Sequence, residues 1–368
     1  MKHIIIDARL YGPKHTGIGR YTKNLLLALS DLPDFSQYKF SLLIYPELES
    51  EIRKDLGNKF TLIPTNIRHY SLKEQLILPF ILYKYHPNLV HFTHFNKPIL
   101  YLKKSVVTIH DLIKHFFKGS DTTTKNPYFY WPKYFFYRLF THLIIKTNTI
   151  IVPSNYWRDY LIKTFKLPPA QVTTTHEAVD PKFVTRNTPP ETPNNYVIYT
   201  GNLYPHKNVT VILEALKKIP DLNLKIISGR NAFVDKFLKS IDRSIKPQVN
   251  LMGFVDDKEF HKVYSKALAL VHPSFMEGFS LTGLEAMALK CPVISSNTSC
   301  LPEVYGNSVL YFDPANSDEL VGQIKSLQNN DKLRRSLIRK GLNQLKKYSW
   351  QKTAQQTLKV YKKTLKQE

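Results

Sequence analysis

The sequence predicts an α/β protein built as two doubly wound domains in tandem, each with a parallel sheet. Three observations carry this reading. Short apolar runs of strand length alternate with helical patterns along the chain. A stretch rich in Pro, Thr and Asn at residues 185–195 interrupts the alternation, which then restarts. The length, 368 residues, suits two domains of ordinary size better than one. Hydrophobic residues make up 43% and charged residues 22%, so each half can bury a core.

Residues 4–7 form the first strand and 11–16 a loop containing Gly12 and Pro13. From Gly17 a helix runs with Ile18, Tyr21, Leu25, Leu26 and Leu29 on one face. Residues 40–45, 60–64, 89–92 and 105–110 read as strands, the last ending on His110 and Asp111. Residues 150–153 make another, after which Ser154 can cap a helix beginning near Tyr156. In the second half, strands at 196–200, 224–228, 250–252, 268–272, 292–295 and 309–312 are separated by helices, one of them at 208–218. From Trp350 onward, Ala354, Leu358, Tyr361 and Leu365 lie along a helical stripe. The expected division is 1–181, 182–349 and a terminal helix at 350–368.

Composition narrows the function classes. The 52 Lys and Arg residues against 29 Asp and Glu leave a formal net charge of +23. The excess is spread along the chain, which favours anionic partners: phosphorylated substrates, an acidic membrane face or nucleic acid. A lysine-biased, solvated surface is the plain alternative. Two cysteines, Cys291 and Cys300, cannot build a disulfide framework or a zinc site, and they suit a reducing compartment. The chain opens directly on a strand, without a signal-peptide pattern, and no run of eighteen apolar residues occurs. The expectation is a cytoplasmic protein, at most peripheral on the inner face of the cell membrane.

In open parallel sheets, ligands gather beyond the carboxyl ends of strands. That directs attention to Gly17, His110, residues 201–207, Gly229 with Arg230, and residues 277–285. The last segment, EGFSLTGLE, passes from a loop broken by Pro273 and Gly278 into a helix-forming run at 284–289. Gly278, Ser280 and Gly283 allow close approach of a ligand, and free N–H groups at such a helix start bind phosphate. The carboxylates of Glu277 and Glu285 can accept hydrogen bonds from sugar or ribose hydroxyls. For Glu285 a second reading stands beside this one, because Thr282 and Glu285 have capping-box spacing. Lys207, placed at a helix start where the dipole disfavours a cation, reads better as functional than as structural. His110 has both readings, a core histidine or a site residue.

Residues 271–288, VHPSFMEGFSLTGLEAMA, continue through PVISS at 292–296 and LPEVYG at 301–306. Together they resemble the signature of retaining glycosyltransferases of family 4, which have the GT-B fold. Further segments match in order. Asp7-Ala8-Arg9 and TGIGRY at 16–21 resemble the N-terminal donor-phosphate loop of members that transfer mannose. Thr108 to Asp111 resembles the segment whose His lies beside the donor sugar. EAVDP at 177–181 resembles the hinge, and YTGNLYPHKN at 199–208 the phosphate-binding loop. The resemblance implies an acceptor-side first domain, a nucleotide-sugar-binding second domain, and a terminal helix crossing back to the first.

By resemblance, Lys207 pairs with the donor diphosphate, Glu277 contacts donor sugar hydroxyls, and Glu285 contacts the ribose. Backbone groups of Gly278, Phe279, Ser280 and Leu281 cradle phosphate and sugar, Gly17 lets the first loop approach, and His110 lies near the transferred sugar. Two departures leave Lys207 with less help, since Asn202 and His206 stand where the family commonly has Arg; Arg20 or Arg230 can assist. The implied reaction moves a hexose, mannose first, from a GDP- or UDP-sugar to a saccharide or lipid-linked saccharide acceptor. No metal or other cofactor is expected, because no Asp-x-Asp sequence and no His/Cys cluster occurs. The segment 128–146 interleaves aromatics with Lys133, Arg138 and Lys146, which suits contact with an anionic membrane, or else a core helix with exposed lysines. His91 and His94 are candidates for the acceptor side. A nucleotide-sugar epimerase or a phosphorylase of this architecture, or a basic nucleic-acid-binding protein, are the competing classes. A phosphorylase should carry a pyridoxal-bearing lysine region, for which the sequence offers no support, and a nucleic-acid-binding protein leaves the 271–306 segment unexplained.

Overall fold

The computed structural model describes residues 1–123, 127–183, 191–229 and 231–366. Two compact units divide the chain: Met1–Leu112, Pro132–Glu177 and Ser349–Glu368 form the first, Ile113–Trp131 and Ala178–Tyr348 the second.

The first unit has strands β1 (Lys2–Asp7), β2 (Tyr38–Ile44), β3 (Thr61–Pro64), β4 (Leu89–Phe92), β5 (Ser105–Thr108), β6 (Thr149–Val152) and β7 (Val172–Thr174). They pair in parallel in the order β3-β2-β1-β4-β5-β6-β7. Its helices are α1 (Thr16–Ser30), α2 (Glu49–Leu56), α3 (Leu72–Leu76), α4 (Leu78–Lys84), α5 (Pro127–Thr147, whose first turn belongs to the second unit) and α6 (Asn155–Phe165). The second unit has α7 (Thr210–Lys218), α8 (Ala232–Ser240), α9 (Asp257–Ser265), α10 (Leu281–Ala288), α11 (Leu301–Tyr305), α12 (Ser317–Gln328) and α13 (Asp331–Leu345). Its strands β8 (Tyr196–Thr200), β9 (Asn223–Ile227), β10 (Val249–Leu251), β11 (Ala269–His272), β12 (Val293–Ser296) and β13 (Leu310–Phe312) run in the order β10-β9-β8-β11-β12-β13. The final helix, α14 (Trp350–Lys366), returns to the first unit and packs on α1, β4 and β5.

The central strands are apolar on both faces because helices cover both sides of a parallel sheet. Ile4, Ile5 and Ile6 of β1 and Val197 and Ile198 of β8 are fully buried. In each sheet the winding reverses once, between β1 and β4 and between β8 and β11. Such a switch point opens a crevice at the carboxyl ends of the two strands. Ser154 takes the N-cap position of α6 with extended dihedrals, though without a side-chain cap bond. The three-residue edge strand β7 lacks the apolar run from which a strand is read. Arg230, and residues 185–190 of the expected linker, lie outside the described residues.

Candidate active site

At the first unit's switch point, Asp7 ends β1 and the chain folds Arg9 back onto it. The fully buried Arg9 donates from Nε to Asp7 Oδ1 (2.9 Å) and from Nη2 to Asp7 Oδ2 (2.6 Å) and Glu74 Oε1 (2.7 Å). Nη1 donates to the Ile67 carbonyl at 2.9 Å. Burial alone raises the Asp7 pKa, but Arg9 outweighs it and holds Asp7 below the usual carboxylate range. Asp7-Ala8-Arg9 thus fixes the floor beneath the β1 and β4 ends, a structural task that the sequence motif alone does not disclose.

His110 lies just beyond β5. Its Nε2 faces the Thr93 carbonyl (3.0 Å) and its Nδ1 the Glu177 carboxylate (3.2 Å). Both neighbours accept, so both ring nitrogens must carry protons to satisfy them, which favours the imidazolium. Burial opposes that charge, yet the Glu177 hydrogen bond and charge, with Thr93, outweigh it and raise the His110 pKa. The Tyr21 ring of α1 stands edge-on to His110 at 4.7 Å. His91 is a core residue: fully buried, it bonds Tyr361 Oη of α14 (2.6 Å) and Thr108 Oγ1 (2.8 Å), and burial pushes its pKa down to about 3. The acceptor-side reading of His91 therefore fails, because its ring faces inward, to β5 and α14.

Near the amino end of α1, Gly17 is exposed and an added Cβ there would meet nothing within 4 Å. The glycine that packing requires is Gly19, whose Cβ would lie 2.0 Å from the Gly12 carbonyl oxygen. Arg20 is half-buried one residue further along α1.

The second unit builds its site at the β8–β11 switch. After β8 the loop closes in a 3-10 turn, Pro205–Lys207, and α7 begins only at Thr210. Lys207 is therefore not at an α-helix start, and the dipole argument for it does not hold. Hydrogen bonds between loops set its position instead. Asn208 adopts a left-handed conformation (φ 53°), and its buried amide donates to the Pro273 (3.2 Å) and Pro314 (2.8 Å) carbonyls. The Phe275 N–H donates to the His206 carbonyl at 2.8 Å. These bonds bring the β8 loop against the β11 loop. They place Lys207 Nζ 2.8 Å from both oxygens of Glu277.

Glu277 is buried and well satisfied. Ser274 Oγ donates to its Oε1 at 2.6 Å, and His272 Nε2 lies 3.0 Å from the same oxygen. Its N–H donates to Ser299 Oγ at 3.1 Å. Burial raises the Glu277 pKa, but Lys207 and His272 outweigh it and hold the carboxyl well below its ordinary range. His206 cannot replace the missing arginine's charge, because burial and the neighbouring Lys207 lower its pKa to about 4.

From Glu277 the chain turns into α10 through Ser280, which takes a left-handed conformation (φ 77°). Ser280 Oγ bonds His272 Nε2 (3.0 Å) and Tyr305 Oη (2.8 Å), and that hydroxyl also meets the Gly283 N–H at 3.2 Å. Helix α10 starts at Leu281 with Ser280 as its N-cap, so Thr282 lies inside the helix and the capping-box reading of Glu285 is not realised. Glu285 is buried on α10. The Phe279 ring packs edge-on against Tyr348 at 5.4 Å, and its carbonyl accepts from Cys300 Sγ at 3.7 Å. The first-turn N–H groups of a helix lack intrahelical partners, and such a terminus suits an anion; in α10 the Gly283 N–H is already taken by Tyr305 Oη.

Lys207, Glu277 and the Gly278–Leu281 backbone thus gather at one switch point, while Gly17, Arg20 and His110 belong to the other unit. Sequence reasoning missed His272, Ser274, Asn208 and Tyr305. The signal for His272 was its place at a strand's carboxyl end; Tyr305, 22 residues beyond Gly283, left none. Among the described residues no group of three His, Cys, Asp or Glu side chains is arranged to hold a metal ion, and no helix is long and apolar enough to cross a membrane.

The chain resembles known proteins in sequence and in fold. Residues 16–183 match the family described as "Glycosyltransferase Family 4", and residues 182–344 the family described as "Glycosyl transferases group 1". O-antigen chain mannosyltransferase B of Escherichia coli is 27% identical over 94% of this chain and 96% of its own length. O-antigen chain mannosyltransferase RfbU of Salmonella typhimurium is 25% identical over 88% and 91%. Among solved structures, sucrose-phosphate synthase from Thermosynechococcus elongatus superposes with a TM-score of 0.74 at 17% identity, covering 99% of each chain. Anabaena HepE in complex with UDP and glucose gives 0.72 at 14%, covering 98% of this chain and 99% of its own.

Proposed function

Because the chain belongs to the family 4 glycosyltransferases with the GT-B fold, we propose that it moves a hexose from a nucleoside diphosphate sugar to a saccharide or lipid-linked saccharide acceptor, retaining the anomeric configuration. Mannose is the first candidate, since two relatives spanning nearly the whole chain are mannosyltransferases of O-antigen chains. GDP-mannose is accordingly the first donor and UDP-hexoses the second. The acceptor then belongs to polysaccharide assembly.

The observation that supports the reading most is the Lys207–Glu277 pair at the β8–β11 switch, beside the amino end of α10. The cation and the helix terminus suit a diphosphate, and the carboxylate suits sugar hydroxyls. Glu277 makes a poor covalent nucleophile, because Lys207, Ser274 and His272 already engage its oxygens. Front-face displacement fits better. The acceptor oxygen bonds to C1 on the face from which the C1–O(phosphate) bond breaks, and the leaving phosphate oxygen takes the acceptor's proton. Lys207 and the α10 terminus stabilise the charge growing on the diphosphate, so no metal is required. His110, with both ring nitrogens engaged, acts as a fixed cation and not as a general base. Glu285, in the same unit, contacts the ribose in this proposal.

Thermal shift with a panel of GDP- and UDP-hexoses tests the donor, since a ligand of the native state raises the midpoint. GDP-mannose is expected to raise it most, with and without EDTA. With a panel of α-mannosides as acceptors, Glu277→Gln should lose about 100-fold or more in donor consumption while still binding the nucleoside diphosphate through Lys207. A panel without any stabilising nucleotide sugar, or near-normal turnover by Glu277→Gln, overturns the assignment.

A further inference from the structure

Helix α5 carries Trp131, Phe135, Leu139 and Leu143 at four-residue spacing, which places them in one stripe. A surface helix ordinarily buries such a stripe. Here the stripe faces water: Trp131 is 52% and Phe135 63% exposed, with exposed Phe136 beside them. The helix buries Thr141, Ile144 and Ile145 instead. Nearby, α3, α4 and the residue between them expose Leu72, Leu76, Ile77 and Phe80, the last 74% exposed, and the segment after β4 exposes Leu100 and Leu102.

One segment joins these two faces. The Phe95 ring lies 5.5 Å from Tyr137 of α5 and 6.1 Å from Tyr70, which precedes α3. Gln75 Oε1 accepts from the Ile99 N–H at 3.0 Å. The Tyr83 hydroxyl of α4 donates to the Leu100 carbonyl (3.2 Å) and accepts from the Leu102 N–H (2.9 Å).

The charge on these segments has one sign. Helix α5 contains no Asp or Glu, nor does the segment 97–104. The single acid of α3 and α4, Glu74, is buried against Arg9. Exposed Lys73, Lys84, Lys103, Lys104, Lys133 and Arg138 remain. We propose that this surface, carried by the first unit and by the Trp131 turn with which α5 begins in the second, docks on an anionic lipid bilayer, its aromatic and aliphatic side chains entering the interface while the cations meet headgroup phosphates. A nucleic acid would use the cations but leave the exposed Leu and Phe side chains in water. The proposal rests on these side chains alone, and it stands whether or not the transfer reading does.

Trp131 supplies a native reporter, because Trp157 and Trp350 are buried. Phosphatidylcholine vesicles containing phosphatidylglycerol should sediment the full chain at low salt and shift its emission to shorter wavelength. High salt should reverse both effects. Lys133→Gln with Arg138→Gln should weaken partitioning about 30-fold, at about fivefold per cation near an anionic surface. Phe135→Ser with Phe136→Ser should abolish the emission shift. All four side chains are exposed, so an unchanged thermal midpoint and an unchanged shift with GDP-mannose separate this surface from the donor site. Absence of binding at low salt, equal binding to pure phosphatidylcholine, or displacement by duplex DNA without an emission change overturns the proposal.

Discussion

Lys207→Ala removes a cation bonded to a carboxylate whose side chain is only 8% exposed. Breaking a fully buried ion pair by deleting one partner costs about 3–5 kcal/mol. Two features lower that figure. The Lys207 side chain is 21% exposed, so water can enter the space it leaves, and Ser274 and His272 remain bonded to Glu277. A loss of about 2–3 kcal/mol is expected, or about 1 M in the urea midpoint at a slope of about 2–3 kcal/mol/M. The loss should depend on pH. In the wild type the Glu277 pKa lies below its unfolded value of about 4.3, so its contribution is fully present above that pH and fades as the pH falls. In the variant the chief opposition to burial is gone, so the carboxyl pKa rises from its wild-type position; the penalty is greatest at neutral pH and relieved by protonation. Urea titrations at pH 7.5 and 4.5 should therefore show a wide gap between the two proteins that narrows on acidification. A midpoint unchanged at pH 7.5, or a gap that does not narrow, would refute a buried Lys207–Glu277 pair.

Gly283→Ala should destabilise, against the usual gain of about 0.5–1 kcal/mol for Gly to Ala within a helix. Its Cβ would lie 2.4 Å from Tyr305 Cζ and Oη, and overpacking of this kind costs about 1–3 kcal/mol; a raised melting temperature contradicts it. Glu177→Gln should act through His110, whose pKa is raised in the folded state. That contribution is fully present below about pH 6.5 and is lost as the pH rises through the raised value. The variant should thus be weaker by about 2 kcal/mol at pH 6, the strength of a charge-assisted bond, and similar to the wild type at pH 9; a gap independent of pH between those points removes the imidazolium.

The sheets were legible because their central strands are apolar on both faces, and strand periodicity needs nothing beyond the chain itself. The charged partners were not. Arg9 and Glu74 lie 65 residues apart, His110 and Glu177 67, and Lys207 and Glu277 70. Each pair meets because the parallel topology returns separated loops to one edge of a sheet, which local pattern cannot express. The same limit misjudged Lys207, for which the boundary of α7 was read from propensity while Asn208 delays it by bonding to two other loops. It also misjudged His91, whose polar partner arrives 270 residues later on α14. The aromatic helix α5 was ambiguous for a different reason: composition says that a face is apolar but not whether anything covers it.

The Lys207–Glu277 bond has a consequence for ligand recognition in the proposed reaction. A diphosphate can recruit Lys207 only by taking it from Glu277, and a buried carboxylate stripped of its cation is costly. A complete nucleotide sugar lessens that cost, because its hydroxyls can donate to Glu277 as its phosphates accept from Lys207. A nucleoside diphosphate alone cannot. Recognition of the two halves of the donor is therefore coupled through one ion pair, favouring the intact donor over the spent nucleotide by more than the sugar's own contacts supply. Glu277→Gln removes the competing charge, and for that reason it should keep the nucleotide while losing the reaction. The neutral state of His206 strengthens the coupling, since Lys207 has no protonated neighbour in that loop to hold phosphate in its place.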